Sequence, residues 1–382
     1  MSTSIKITRK NGGIKPLAAN NDGLSGLVCY VPTADIPAVM TEVKKISTLE
    51  EAQALGFSDD KQTYKGVIYY HLREAFRLNP SLVVYLGVYS NENIDYSKIK
   101  EVTNVAKGEL RQVVVFDPTT ELVKTTVTSL QQEATSLESD DKPLSIVYCP
   151  KVSDCQRIPD IATDGYRNVS VSVGEDLDSD SIAEDYRGED LVVTMAGVIL
   201  GILSLAKVSE SIAWVKKFNT GMGVAGLVDG TKYINMTKTQ ISDLEAKRVL
   251  FAKTYVGYDG VYMNDSYTMD IAKSDYNAIE RMRTMDKAAR GVRAYLLPYV
   301  AGNVEIDAST GQIAKDSIEV MKNEGNRFLE QMERDGELSG CSVEIDSNQN
   351  VLATSTIKVV IQNVPMGVSR NIDIQMGYAE SV

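Results

Sequence analysis

The sequence predicts an α/β domain built on a mostly parallel sheet, then a smaller α+β domain, with extended strand arms at both ends. Three observations carry this. In the first half, apolar runs of strand length that do not alternate are separated by helical patterns, as in a sheet covered on both faces. In the last hundred residues, two amphipathic helices precede segments that alternate apolar and polar residues as far as residue 376. Near the N-terminus, Ser4-Ile5-Lys6-Ile7-Thr8 alternates in the same way before the flexible turn Asn11-Gly12-Gly13. The expected division is 1–21 for an extended arm, 22–250 for the α/β domain, 251–354 for the α+β domain and 355–382 for a C-terminal strand and arm.

Bulk properties narrow the function. A chain of 382 residues exceeds one ordinary core. At 43% hydrophobic and 24% charged it has a globular composition, and a net charge of −12 argues against a general nucleic-acid binder. The N-terminus has no apolar signal-peptide core. Cys29, Cys149, Cys155 and Cys341 are scattered without metal-ligand spacing, which predicts free thiols and synthesis in a reducing compartment.

Taken in order, residues 24–31 form an apolar strand closed by Pro32. Ser47 and Thr48, with Glu50 and Glu51, open a short capped helix that ends at Leu55-Gly56. Residues 64–78 form a helix stopped by Asn79-Pro80. Residues 82–88 are a strand, 97–107 a helix, and 112–116 a strand ended by Asp117-Pro118. A helix follows over 119–137, a strand over 144–149, a helix over 154–163 and an extended segment over 168–173. Residues 175–190 are strongly acidic. Asp176, Asp178 and Asp180 alternate like the first ligands of a calcium loop, but Ser181 and Arg187 stand where glycine and glutamate belong, so a solvated loop is expected. Residues 191–205 are the most hydrophobic run. They fall short of the about 20 residues a membrane span needs. Gly197 and Gly201, one turn apart, predict a buried helix with a close neighbour. Gly221, Gly223 and Gly226 fit the spacing of a dinucleotide-binding loop, but Asp229-Gly230 interrupts the helix that should follow, so a surface or inter-domain loop is expected.

Residues 240–248 read as helical, and 251–262 as a hairpin turned at Tyr258-Asp259-Gly260. A basic helix spans 276–297 with the apolar stripe Ile279, Met282, Ala289, Val292 and Leu296. Its cations Arg283, Lys287, Arg290 and Arg293 form either a partner face or a solvated face paired with their own acidic neighbours. A second helix carries Ile318, Met321, Phe328, Leu329 and Met332 on one side and is capped at Gly336. Alternating strands follow at 341–346, 357–361 and 372–376. Terminal strands carrying Ile5 and Ile7, and Ile372, Ile374 and Met376, must pair with an edge of their own sheet or with another molecule.

Catalytic chemistry is thin. His71 is the only histidine, within an apolar helix face, so no Ser/His/Asp or Cys/His constellation can be built. No cofactor or metal site is expected. A carboxylate-only enzyme, or a nucleotide-dependent one using residues 221–226, stays as the enzymatic alternative.

Short motifs in a fixed order resemble a known family. Asp275-Tyr276, Thr284-Met285-Asp286-Lys287-Ala288-Ala289-Arg290, Leu297-Pro298, Gly336-Glu337-Leu338-Ser339-Gly340 and Val364-Pro365-Met366-Gly367-Val368 look like the C-terminal part of contractile tail sheath proteins of phages and phage-like injection particles. The N-terminal half is similar in plan, from the first strand through Ser47-Thr48-Leu49-Glu50 and Gly56-Phe57 to the strand at 82–88. The resemblance implies a homo-oligomer of stacked six-fold rings around an inner tube, with baseplate and tail terminator proteins as further partners. It implies no nucleic acid, no membrane insertion, and no enzyme activity. Assembly would occur in the bacterial cytoplasm, before incorporation in a virion tail or phage-like particle. The α/β domain would face outward and the C-terminal domain inward. The arms would add strands to neighbouring subunits. The helix bearing Lys315, Lys322, Arg327 and Glu330 would face the tube. A non-contractile adaptor or terminator of the same particle is the alternative structural reading. The chain has no room for the large outer domains of big phage sheaths.

Overall fold

Every residue of β1 (Ser25–Val31) is buried, because its small and apolar side chains face covered surfaces on both sides. The computed structural model describes residues 22–189 and 191–378. The arm expected over 1–21, with Ile5 and Ile7, lies outside them. After β1 come β2 (Lys44–Ile46), α1 (Leu49–Ala54), α2 (Tyr64–Leu78), β3 (Val84–Ser90), α3 (Lys98–Val105), β4 (Gln112–Glu121), α4 (Lys124–Ser139), β5 (Ser145–Lys151) and β6 (Val169–Val171). These strands form one sheet in the order β2-β3-β1-β4-β5-β6. All its pairings are parallel except that of β2 with β3. Side chains alternate across the sheet. Leu27, Cys29 and Val31 enter one core, and Val28 and Tyr30 the other.

The chain continues through β7 (Gly174–Asp176), α5 (Ile182–Arg187), α6 (Ala196–Leu205), β8 (Ala225–Leu227), α7 (Lys238–Ala246), β9 (Ala252–Tyr255) and β10 (Tyr258–Met263). Helix α6 is the buried helix foreseen at 191–205. It lies on α2 so closely that a Cβ on Gly197 would sit 2.1 Å from the His71 carbonyl oxygen, and one on Gly201 would sit 2.8 Å from the Leu78 Cβ. His71 is packed inside this contact. Burial pushes its imidazole down to about 3, so it stays neutral. Its Nδ1 accepts from the Gly197 N–H at 3.4 Å.

The last part comprises α8 (Ile279–Leu296), α9 (Lys315–Arg334), β11 (Leu338–Ile345), α10 (Val351–Thr354) and β12 (Val359–Pro365). β11 and β12 pair antiparallel as a separate two-stranded sheet. The apolar stripe of α9 packs against it, and Gly336 at φ 72° ends the helix as its position predicts. The cores divide within α8. Ile279 belongs with the large sheet, and so do Ala252, Val261 and Met263 of the hairpin, whereas Ala288 and Val292 pack with α9 and β11. The large unit therefore extends past the boundary expected at 250.

Several local expectations are corrected. The acidic segment is not a solvated loop: Glu175 and Asp176 are buried. The Asp176 carboxylate accepts from the Gly223 and Val224 N–H groups at 3.2 and 3.0 Å, and Arg187 donates to Glu175 at 2.9 Å. The glycine-rich segment is thus bound to the chain's own carboxylate and runs into β8. Residues 154–163 make only one short 3-10 turn, Cys155–Arg157, because Pro159 follows. Helix α4 starts at Lys124 because β4 continues to Glu121. The hairpin turns at Val256-Gly257, where Gly257 has φ 78°, and residues 258–260 lie in β10. Residues 372–376 form no strand.

Replacing Gly197 by alanine should cost about 3 kcal/mol or more of stability, because the clash is with rigid backbone. Urea unfolding measures it. Wild-type stability in G197A would refute the close α2–α6 contact.

Candidate functional site

Doubly wound sheets bind ligands at the carboxyl ends of the strands where the order reverses, here between β1 and β4. That crevice holds the chain's own tyrosines. Tyr96 and Tyr148 donate to the Asp117 carboxylate at 3.0 and 3.3 Å, and Tyr30 donates to the Asp95 carbonyl at 2.7 Å. Among the described residues no group of three or more His, Cys, Asp or Glu side chains could hold a metal ion. No described helix is long and apolar enough to cross a membrane. The sites worth examining are α8, α9 and the C-terminal arm.

Helix α8 is polar yet largely buried. Arg283 is 2% exposed. Its Nη2 donates to the carbonyls of Asp22 and Ala206 at 3.1 and 3.2 Å, while Nε and Nη1 have no partner, and burial pushes the guanidinium down to about 10. One turn on, Lys287 Nζ lies between the carboxylates of Asp22 (2.6 Å) and Glu337 (2.7 Å). Burial raises the Glu337 carboxyl. Arg290 donates to the Pro143 carbonyl at 3.3 Å, and Arg293 is exposed beside Asp141 at 2.6 Å. The four cations therefore do not form one outward face. Arg283 and Lys287 point into the molecule because α8 spans both hydrophobic cores. Arg290 and Arg293 instead line a cleft of about 220 Å³ with Glu138, Arg167 and Asp286. Asp286 is buried with no partner for Oδ2, and burial raises its carboxyl to about 7.

The same helix touches the C-terminal arm. Arg370 Nε donates to both carboxylate oxygens of Asp265 at 2.9 and 3.0 Å, and its Nη2 donates to Glu280 at 2.7 Å. Residues 371–378 are exposed. Ile372, Ile374 and Met376 show 79%, 77% and 92% of their surface. Val360 and Val364 of β12 are also exposed. On α9, Lys315, Arg327 and Glu330 are exposed and Lys322 is half-buried. Arg327 lies 3.9 Å from Glu324, and Glu330 lies 3.7 Å from Arg334, so the outer face carries mixed charge.

Asp22, Asp265, Glu280, Glu337 and Arg370 are the residues that sequence reasoning missed. A signal for one of them existed: Glu280 shares one face of α8 with Arg283 and Lys287.

The fold is that of chains in contractile injection systems. A chain in the cryo-EM structure of the anti-feeding prophage baseplate matches with a TM-score of 0.65 at 13% identity, covering 99% of this chain and 100% of that one. A chain in the extracellular contractile injection system PVC sheath complex, in its contracted state, matches at 0.61 and 13%, covering 100% and 99%. By sequence the chain belongs to the DUF2586 family: the N-terminal domain model matches residues 3–267 and the C-terminal domain model residues 275–382. It is also 29% identical over 132 residues to a provisionally named tail sheath protein of Haemophilus phage HP1 (strain HP1c1), a match spanning 33% of this chain and 34% of that relative. The resemblance to tail sheath proteins thus holds in both sequence and fold.

Two outcomes test the buried charges. A carboxyl raised by folding holds its proton better in the folded state, so its contribution to stability falls as pH rises from about 4 to about 7. Asp286→Asn should therefore gain on the wild type between pH 4.5 and pH 8 by at least about 1 kcal/mol in urea unfolding. An equal gap at both pH values would refute this. Lys287→Met should destabilise by about 3 kcal/mol, because it leaves Asp22 and Glu337 facing each other unneutralised. An unchanged urea midpoint would count against the buried triad.

Proposed function

We propose that this chain is the structural subunit of a contractile tail sheath. Copies polymerise as stacked six-fold rings around an inner tube, and contraction drives the tube through a target envelope. The observation that carries the reading is the arm after Arg370. Three alternating apolar residues are almost fully exposed, in a chain whose whole length follows the fold of contractile-system chains. Among the described residues nothing covers them and the outer edges of β11 and β12 pair with no strand, so those edges in another copy offer the backbone partners a strand needs.

In this assembly Ile372, Ile374 and Met376 form the strand given to a neighbour, and Ile5 and Ile7 form a second from the other end. The exposed face of α9, with Lys315, Lys322, Arg327 and Glu330, faces the tube, and Arg290 and Arg293 face a partner across their cleft. The α/β domain forms the outside. The extended array is metastable. Contraction repacks subunits with more buried surface, so no nucleotide or cofactor is consumed. The subunit assembles in the bacterial cytoplasm and joins baseplate and terminator proteins in a virion tail or phage-like particle. The tyrosine-filled crevice on the sheet supports a structural role over an enzymatic one.

A non-contractile adaptor is a second reading, favoured by the match to a chain from a baseplate structure. Negative-stain electron microscopy of the protein, alone and with its tube protein, separates the two. Striated hollow tubes or stacked rings are expected, whereas single rings of fixed size at every concentration would favour the adaptor. Deleting residues 371–382, which keeps Arg370, should abolish tubes while leaving the subunit folded. Normal contractile tubes from that deletion would refute the arm's role.

A further inference from the structure

We propose that α8 anchors the roots of both terminal arms through one charged stripe, Glu280, Arg283 and Lys287, and that Arg370 and Lys287 are positioning residues that set where the arms leave toward neighbouring copies. The second half of this rests on the sheath reading above; the anchoring itself does not.

Glu280, Arg283 and Lys287 stand three and then four residues apart, which places them along one face of the helix. At the N-terminal end of the stripe, Glu280 takes Arg370 on one carboxylate oxygen at 2.7 Å and the Ser266 hydroxyl on the other at 2.5 Å. Asp265 completes the clamp with both oxygens on Arg370 Nε. Glu280 is 3% exposed and Asp265 7%, so without Arg370 two buried carboxylates would lose their cation. Further along the stripe, Arg283 holds the Asp22 carbonyl and Lys287 holds the Asp22 carboxylate. Asp22 lies three residues before β1, where the arm expected over 1–21 would attach, and Arg370 lies five residues after β12, where the exposed segment 371–378 begins.

The chemistry of these contacts suits anchoring. An apolar root can slide along its groove at little cost. A guanidinium set between two fixed carboxylates has one position and one orientation. The segment just beyond Arg370 is exposed, so the last fixed point before the arm is the Arg370 clamp. In a polymer, a pull on the C-terminal arm loads Arg370 and Glu280. It is then carried along α8 to Lys287 and Asp22, the root of the other arm. Each subunit thereby links the neighbour that takes one arm to the neighbour that takes the other through a single rigid helix.

The test uses the full chain with Asp265→Asn and Glu280→Gln together. These keep side-chain shape and remove the charge that holds Arg370. Trypsin cuts after arginine, so release of residues 371–382, followed by mass spectrometry, reports whether Arg370 is held. We expect release to be about tenfold faster than in the wild type, with other tryptic sites unchanged and polymers fewer and shorter by sedimentation. Arg370→Lys guards against misfolding of the double variant, since it leaves a cation for Asp265 and Glu280 but gives up the planar fork that spans them. Its hydrogen exchange over 366–371 should rise by a similar factor. Unchanged release together with unchanged exchange would overturn the anchor. Faster release with wild-type polymers would overturn the positioning role. If the wild type never polymerises but release still accelerates, the anchor stands and the sheath reading falls.

Discussion

A helix that spans two cores cannot keep its charges in water, and α8 is such a helix. Its first turns lie against the large sheet and its last turns against α9 and β11. A buried guanidinium or ammonium without a partner costs several kcal/mol, so the surrounding chain must supply carbonyls and carboxylates from every side. Asp22, Ala206, Pro143, Glu337 and Asp265 come from distant parts of the sequence to do this, directly or through Arg370. The relative placement of the two units follows from that requirement.

The large unit is closely packed. Its sheet is covered on both faces, and α6 is pressed onto α2 at a distance that only glycine permits. The crevice where sheets of this kind bind cofactors is occupied by Tyr30, Tyr96 and Tyr148, hydrogen-bonded to groups of the chain itself. A glycine pattern that suggests phosphate binding is occupied by Asp176. Both places where a ligand would be expected are filled by the chain's own groups.

The small unit is different in kind. Among the described residues its two-stranded sheet leaves its outer backbone edges free, and residues 371–378 beyond it expose apolar side chains. Such edges are usually shielded or paired.

Much of the fold was legible in the sequence because it depends on short-range patterns. The apolar run ended by Pro32, the helix stopped before Pro80, the glycine pair in α6, the stripe of α9 and the cap at Gly336 each encode a local choice that tertiary contacts then reinforced, whereas β4 runs on through Pro118 to Glu121. What the sequence alone could not decide was the fate of charges. Glu175 and Asp176 read as solvated and are buried; Arg283 and Lys287 belonged to a possible surface and lie inside. A charged residue carries the same letter whether water or a carboxylate 265 positions away neutralises it. Only the folded chain brings Asp22 to Lys287 and Glu280 to Arg370, so only tertiary structure determines where the candidate interface begins.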